Sequence, residues 1–332
     1  MYREQIAPTE HLLSVCQKVG AKLTIYFEYG QYRFFDKYSC ADNDYQNSNL
    51  LIRQQLKKLV SLGHDVQLHL HPTWLNAELS SKGEIELNID ACDICNLDKP
   101  EIVGILKEGK EFLEGLLKPI NADYECIAFR AGAWTASNHK LLIQSLYEAG
   151  FKVDSSVAKY AHMNSSYGSF DYRDCEKHTY WFVSDNLSKV CSGNTESSIL
   201  ELPILGQYNR FAPLLYLNRK RRLTNRIVRK YYTNKITDSN LSRVGKLRKV
   251  LNRDFVMADF NFIAFETLNK MIKAELLNNS DKNLNQITLI GHSKTSYFND
   301  ELLLLLEKIK DENNVVFDTV STFYRRLGDL SR

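Results

Sequence analysis

Apolar residues at helical spacing, closed by a glycine and followed within a few residues by a short apolar strand, recur along the 332-residue chain. His11–Gly20 leads into Lys22–Glu28 (KLTIYFE), Asn49–Gly63 into Asp65–His71 (DVQLHLH), and His139–Gly150 into Phe151–Val157 (FKVDSSV). Each glycine stands where a helix C-cap needs a left-handed backbone, which glycine adopts without steric cost. In the second unit Leu50, Leu51, Leu56, Leu59, Val60 and Leu62 fall on one buried helix face. A helix over Pro100–Lys118 precedes a strand around Cys126–Arg130, and a strand Ile287–Ile290 precedes a helix Asp300–Lys310. Helices alternating with short strands predict an α/β fold: a parallel sheet covered by helices, open or closed into a barrel.

Composition narrows this further. With 44% hydrophobic and 25% charged residues, the chain can bury the core of one large domain or two smaller ones. The longest aliphatic run, Leu302–Leu306, falls far short of a membrane span. Met1–Gln5 lacks an apolar leader segment, so no secretory signal is visible. Seven scattered cysteines, an odd number, fit a reduced, cytoplasmic compartment. The net charge of +3 gives no global reason to expect a nucleic-acid partner.

That charge is unevenly spread. Arg219–Arg253 holds 13 Lys/Arg against one acid, Asp238, an excess of +12 that leaves the rest of the chain at −9. With Tyr231 and Tyr232 interleaved, it reads as a helical arm inserted into the α/β body. A solvated face explains it blandly; a patch for anionic lipid headgroups, a phosphate-bearing substrate or an acidic polymer explains it functionally. No nucleic-acid-binding motif accompanies the charge.

Candidate chemistry collects at strand ends. In Gly63-His64-Asp65-Val66-Gln67-Leu68-His69-Leu70-His71-Pro72, alternation sends Val66, Leu68 and Leu70 one way and Gln67, His69 and His71 the other. A helix-covered parallel sheet should be apolar on both faces, so two histidines on one face need a cause. Imidazoles two apart on a strand can converge on one divalent ion. Pro72 stops the strand, which puts the pair at the end where active sites of parallel barrels lie. His64, at the strand's start, reads as structural. Arg130 after Phe129, Asp154 in VDSS, Glu201 in LELP and His292 in IGHSK are further polar intrusions at such ends. His292 has the intrinsic chemistry to protonate a leaving group. Arg130 could orient a carboxylate or make a salt bridge, and Asp154 could pair with Arg130 or His292. Cys92 and Cys95 have the spacing of half a zinc ribbon, but no second pair follows. Gly30 and Gly132 are isolated and form no phosphate loop. His162 and His178 lie in a loop-like stretch that could shape a substrate cleft.

The order GHDVQLHLHP, FRAGAW, a Gly-ended helix then DSSV, LELPI, and GHSK before an amphipathic helix resembles the polysaccharide deacetylase family, the NodB-homology group or carbohydrate esterase family 4. The resemblance covers about residues 8–205 and 255–330, and is closest to branches serving surface-polysaccharide biosynthesis. It implies one domain over 1–332, a distorted (β/α) barrel of the NodB-homology type, interrupted by a basic, mostly helical insertion over 206–256. It also implies a divalent metal, commonly zinc, and hydrolysis of the N-acetyl group of an amino sugar. His69 matches the first metal-binding histidine; the second is expected at Thr73, which offers no imidazole, so His71 substitutes for it. Arg130 matches the arginine that positions catalytic carboxylates, and His292 the general acid. Asp154 and Glu201 fall in accessory active-site strands. The family's opening strand, which ends in an Asp pair supplying base and metal ligand, should precede His11–Gly20. Met1–Glu10 holds no Asp there, so the resemblance implies a barrel without its first strand. Glu28 ends the strand after that helix and is read as not the missing acid. The expected function is a metal-dependent deacetylase acting in the cytoplasm, or at the inner face of the membrane, on an N-acetylated, lipid-linked or free saccharide. Arg219–Arg253 would contact an anionic membrane, with nucleic acid set aside as a partner. The alternatives are an impaired relative that binds glycan or a partner, and another metal-dependent amidohydrolase, since His-x-His also ends strands there.

Overall fold

Helices begin and end on local chemistry. In the computed structural model, which describes residues 5–165, 168–191, 197–210, 253–293, 300–312 and 315–330, helix α1 (Ala7–Val19) opens on Pro8 and closes on Gly20 at φ 74°. Helix α2 (Tyr29–Tyr38), which the periodicity did not single out, is capped by the Glu28 side chain. Helix α3 spans Asn43–Ser61, longer at its start than the apolar pattern predicts because Asp42 caps it. Helix α4 (Lys99–Leu117) starts in a capping box, Asp98 and Glu101 each accepting the other's backbone N–H at 2.9 and 3.0 Å. Helix α5 runs His139–Glu148, with Gly150 at φ 77° just beyond. Helices α6 (Phe265–Asn278), α7 (Asp300–Lys310) and α8 (Val320–Leu330) follow, of which only α7 has the expected bounds. No described helix is long and apolar enough to cross a membrane.

The strands are β1 (Thr24–Glu28), β2 (Asp65–Leu70), β3 (Glu78–Leu79), β4 (Ile85–Glu86), β5 (Ala128–Ala131), β6 (Val153–Asp154), β7 (His162–Ser165), β8 (Gly168–Asp171), β9 (Trp181–Val183), β10 (Ile199–Glu201), β11 (Gly206–Arg210) and β12 (Arg253–Met257). Six of them form one sheet in the order β1-β2-β5-β6-β10-β9. All neighbours are parallel except β9, which runs against β10. Single parallel bridges, Ala158 to Ile204, Ile204 to Thr288 and Asp259 to Ile290, carry the arrangement onward. The expected strand Ile287–Ile290 is thus reduced to two bridging residues. Among the described residues no pairing joins β1 to the Asp259 end, so the α/β parallel sheet stands but the closed barrel is not seen.

Register sorts the side chains into rows. Tyr26, Gln67, Ala128, Val153 and Leu200 are aligned across five strands, and one step further along lie Glu28, His69 and Arg130. Between those levels, on the opposite face, come Phe27, Leu68, Phe129, Asp154 and Glu201. The second face packs on α3, α4 and α5 through Leu59, Leu106, Leu113 and Leu142. Ala128, Val153 and Leu200 of the first face pack on Val320 and Phe323 of α8. A third cluster joins α1, α6 and α7 through Leu12, Cys16, Leu268, Met271 and Leu305.

Only the ends of the 206–256 segment lie among the described residues, and the expected helical part lies outside them. Gly206–Arg210 and Arg253–Met257 pair antiparallel as a β-ribbon rather than entering a helix. Most of the basic stretch Arg219–Arg253 lies outside the described residues.

Candidate metal centre

Strand β1 ends at Glu28 and β2 at Leu70, and parallel register sets Glu28 beside His69. Matched residues of parallel neighbours leave the sheet on the same side, so carboxylate and imidazole meet. His71 lies one residue past β2, where it opens the short turn Pro72–Trp74. One ligand atom from each of Glu28, His69 and His71 lies within 4.8 Å of the others. The two rings stand 4.7 Å apart at 83°, an edge-on arrangement that lets a nitrogen of each address a common point. This corrects the sequence reading that set Glu28 aside: it is the acid of the cluster. The cue for it was an acidic residue ending an otherwise apolar strand; register across the sheet, invisible in a linear pattern, does the rest.

Each member is held by a second contact. His69 Nδ1 donates to the Arg130 carbonyl at 2.7 Å, which leaves Nε2 with its lone pair free. Burial, reinforced by His71, pushes the His69 pKa from 6.5 to about 3, so the ring stays neutral and able to ligate near neutrality. Glu28 accepts the backbone N–H groups of Gly30 (3.0 Å) and His71 (3.0 Å), and its Oε2 meets His71 Nδ1. Burial pushes the Glu28 carboxyl up, but the His71 ring and N–H outweigh it and hold the group below the usual carboxylate range. His71 keeps 40% of its side-chain surface and Glu28 20%, so the cluster is open on one side. Two imidazoles and a carboxylate with outer contacts already in place are a donor set that suits zinc or a similar divalent cation.

Two glycines admit this packing. A Cβ on Gly132 would lie 2.7 Å from His71 Cγ and Cδ2 and 2.6 Å from the Leu70 carbonyl oxygen. A Cβ on Gly30 would sit 2.8 Å from Trp74 Cβ and 3.0 Å from Glu28 Oε1. Just after Gly132, Ala133 and Trp134 both adopt positive φ, 50° and 59°, a costly conformation of the kind that clusters at functional sites. Gly132→Ala is expected to displace His71 and weaken zinc binding by about 10- to 100-fold, the scale of an outer-contact loss. Calorimetric zinc titration of the folded variant measures it; unchanged affinity would show that Gly132 does not set the His71 position.

Arg130 shares the His69 row, and among the described residues its guanidinium makes its hydrogen bonds away from the Glu28 carboxylate. Its guanidinium donates to the Ser155 carbonyl (2.9 Å) and hydroxyl (2.8 Å) and lies 4.0 Å from the Tyr26 ring centroid. Its contribution to the cluster is its carbonyl. Asp154 and Glu201 depart further: register puts them on the helix-covered face, in the Phe129 row, and both are fully buried. Ser156 N–H and O–H, each at 2.9 Å, hold the Asp154 carboxylate. Burial and the Asp154 charge push the Glu201 carboxyl well above its usual range, so it keeps a proton and bonds to Asp154. They tie β6 to β10 and do not line the metal cluster. His292 lies on the same rim of the sheet as the cluster, two residues beyond Ile290, with Asp259 3.8 Å from its Nδ1.

The remaining expectations sort simply. His64 is structural: it is buried, its Nδ1 accepts Leu23 N–H at 3.1 Å, and burial lowers its pKa to about 4. Gln67, on the polar face of β2, is also structural, accepting Ile127 and Ala128 N–H and donating to Asp65, the Glu125 carbonyl and Ser321. Cys92 and Cys95 form no disulfide. The His178 carbonyl accepts Lys159 Nζ and the His162 ring meets Phe255 at 5.8 Å, so neither histidine joins the cluster.

No protein-family model matches the sequence, and no curated protein matches it. Solved structures do. A "putative polysaccharide deacetylase" from Mycobacterium smegmatis aligns with a TM-score of 0.50 at 14% identity, over 98% of this chain and 78% of its own. A 4-alpha-glucanotransferase from Thermococcus litoralis aligns with a TM-score of 0.48 at 12% identity, over 98% of this chain and 36% of its own. At such low identity the first likeness speaks for the fold alone: the chain has a deacetylase-like mixed α/β fold.

Proposed function

We propose that this chain is a divalent-metal-dependent hydrolase that removes the N-acetyl group of an amino sugar. The observation that carries the reading is the convergence of Glu28, His69 and His71 within 4.8 Å at the C-terminal rim of a parallel sheet. The deacetylase-like fold supports the choice of reaction over other hydrolyses.

His69 would offer Nε2 as a ligand, its orientation fixed by the Arg130 carbonyl. His71 would offer Nε2 from a ring braced by Glu28 through Nδ1, and the carboxylate itself completes the donor set. A divalent cation held by Glu28, His69 and His71 would supply Lewis-acid polarisation of the acetyl carbonyl and hydroxide near neutral pH. Glu28, held ionised, keeps the negative charge that this donor set needs to hold a divalent cation. His292, on the same rim, hands a proton to the departing amine.

Zinc-loaded protein is expected to release acetate from N-acetylglucosamine oligomers, to stop when the metal is chelated, and to recover when zinc is restored. Metal-loaded, folded protein that binds such oligomers without releasing acetate would replace this reading with that of a non-catalytic glycan-binding relative.

A further inference from the structure

We propose that Tyr160 and Tyr208 form a stacking platform for a sugar ring. The chain would then take an oligosaccharide, its acetylated unit at the metal centre and a more distant unit on the two phenols. For the choice of ligand the inference rests on the function proposed above; its geometry does not. Arg130 is level with Ser155, one step past the pair Phe129 and Asp154. Beyond that level the chain stays paired with the run that continues β10. Leu202 N–H donates to the Asp154 carbonyl at 2.9 Å, Ile204 N–H to the Val157 carbonyl at 2.8 Å, and Lys159 N–H to the Ile204 carbonyl at 3.0 Å. The four residues from Ser155 to Lys159 thus carry the chain about 13 Å past the level of His69, at the rise of an extended strand. Tyr160 comes next, on the side of the sheet where the strands end and the metal cluster lies.

Tyr160 has φ 64°, a region that a bulky side chain leaves unless its surroundings hold it there, and such residues cluster at ligand clamps. The hold comes from Lys159. Its ammonium is anchored to Glu275 and to the Lys177 and His178 carbonyls. Its own carbonyl oxygen lies where a Cβ on Gly206 would fall 2.2 Å away. Gly206 opens β11, and one face of the β11–β12 ribbon packs on the body: Val256 is buried, and Gln207 Nε2 donates to the Met271 carbonyl at 2.9 Å. Alternation turns Tyr208 and its partner Phe255 to the other face. There the Tyr208 ring meets Tyr160 at 5.4 Å and 37°, and Phe255 meets the exposed His162 ring at 5.8 Å. Tyr208 keeps 41% of its surface, so the pair presents ring face outward instead of burying it. Phenol rings with hydroxyl tips suit a pyranose, whose C–H faces are apolar and whose edge carries hydroxyls. The charges around Tyr208 disfavour an acidic lipid surface as occupant: Arg173 is paired with Asp171 at 2.9 Å, and Asp254 accepts Phe255 N–H.

Calorimetric titration of zinc-loaded protein with N-acetylglucosamine and with its tetramer tests the assignment. The parent is expected to bind the tetramer more tightly than the monomer. Tyr208→Ala is expected to lower tetramer affinity about 3- to 10-fold, the scale of one aromatic contact, with monomer affinity and zinc content unchanged. Tyr208→Trp should keep the tetramer affinity. Tyr160→Asn removes the other ring while leaving a residue that tolerates positive φ, so it should stay folded by circular dichroism and lose a similar factor. Equal affinity of the parent for monomer and tetramer, or unchanged tetramer affinity in Tyr208→Ala, would overturn the platform. Binding to phosphatidylglycerol vesicles that depends on Tyr208, without tetramer binding, would overturn it in favour of a lipid surface. Tetramer held through Tyr208 with no acetate released would keep the platform and sink the deacetylase reading. Acetate released from the tetramer by Tyr208→Ala at parental KM would do the reverse.

Discussion

His69→Ala is expected to leave a folded protein that no longer retains zinc through dialysis and releases no measurable acetate. The side chain sits at the middle of the cluster, with Glu28 on one neighbouring strand and Arg130 on the other. Loss of an outer contact on a metal ligand already costs about 10- to 100-fold in affinity or activity, and removal of the ligand itself costs more. The fold should survive because the core packing of β2 runs through Val66, Leu68 and Leu70 on the opposite face. Metal content by elemental analysis, beside circular dichroism, checks both halves. Glu28→Gln sharpens the result: it keeps an acceptor for Gly30 and His71 N–H but removes the charge. Zinc retained at parental affinity in both variants would remove the cluster from the chemistry.

Lys159→Ala is expected to have the largest effect on stability, about 3–5 kcal/mol, because it strands a buried carboxylate. Lys159 is 1% exposed and Glu275 5%, and the ammonium also donates to the Lys177 and His178 carbonyls at 2.8 and 3.0 Å. One side chain thereby ties the turn after the Ala158 bridge, the 177–178 loop and helix α6. Replacing both partners, as Lys159→Met with Glu275→Leu, should recover much of the loss, since the cost lies in the unpaired charge. Urea unfolding of the two variants decides; a single replacement as stable as the parent would mean that water already reaches the pair.

The sequence and the structure agree wherever one strong local rule governs. Gly20, Gly63 and Gly150 were legible because a left-handed C-cap admits little else, and all three have positive φ. The His69–His71 pair was legible because polar residues on a covered strand contradict burial. Glu28, Asp154 and Glu201 were misjudged for a shared reason. Whether an end-of-strand acid joins the rim or the helix-covered side depends on register with its neighbour, and a slip of one residue reverses the answer. Helix α2 was missed because its aromatic face pairs with itself and with α3 and Trp74, through Phe34, Tyr38 and Tyr45, rather than showing a simple apolar stripe. Lys159 gave no signal, since a lone lysine in sequence is ordinarily solvated.

Ser321 bonds to Asp65 and Gln67 across 256 and 254 residues of chain, beneath the strand that carries His69. During synthesis on a ribosome the stretch from β1 to β10 emerges long before Ser321 and Phe323, so its inner surface waits, uncovered, for that later segment. Translation stopped short of residue 319 would leave Gln67 and Asp65 wet and the apolar patch around Ala128, Val153 and Leu200 open to aggregation. In this protein a helix made later finishes the floor under strands made well before it.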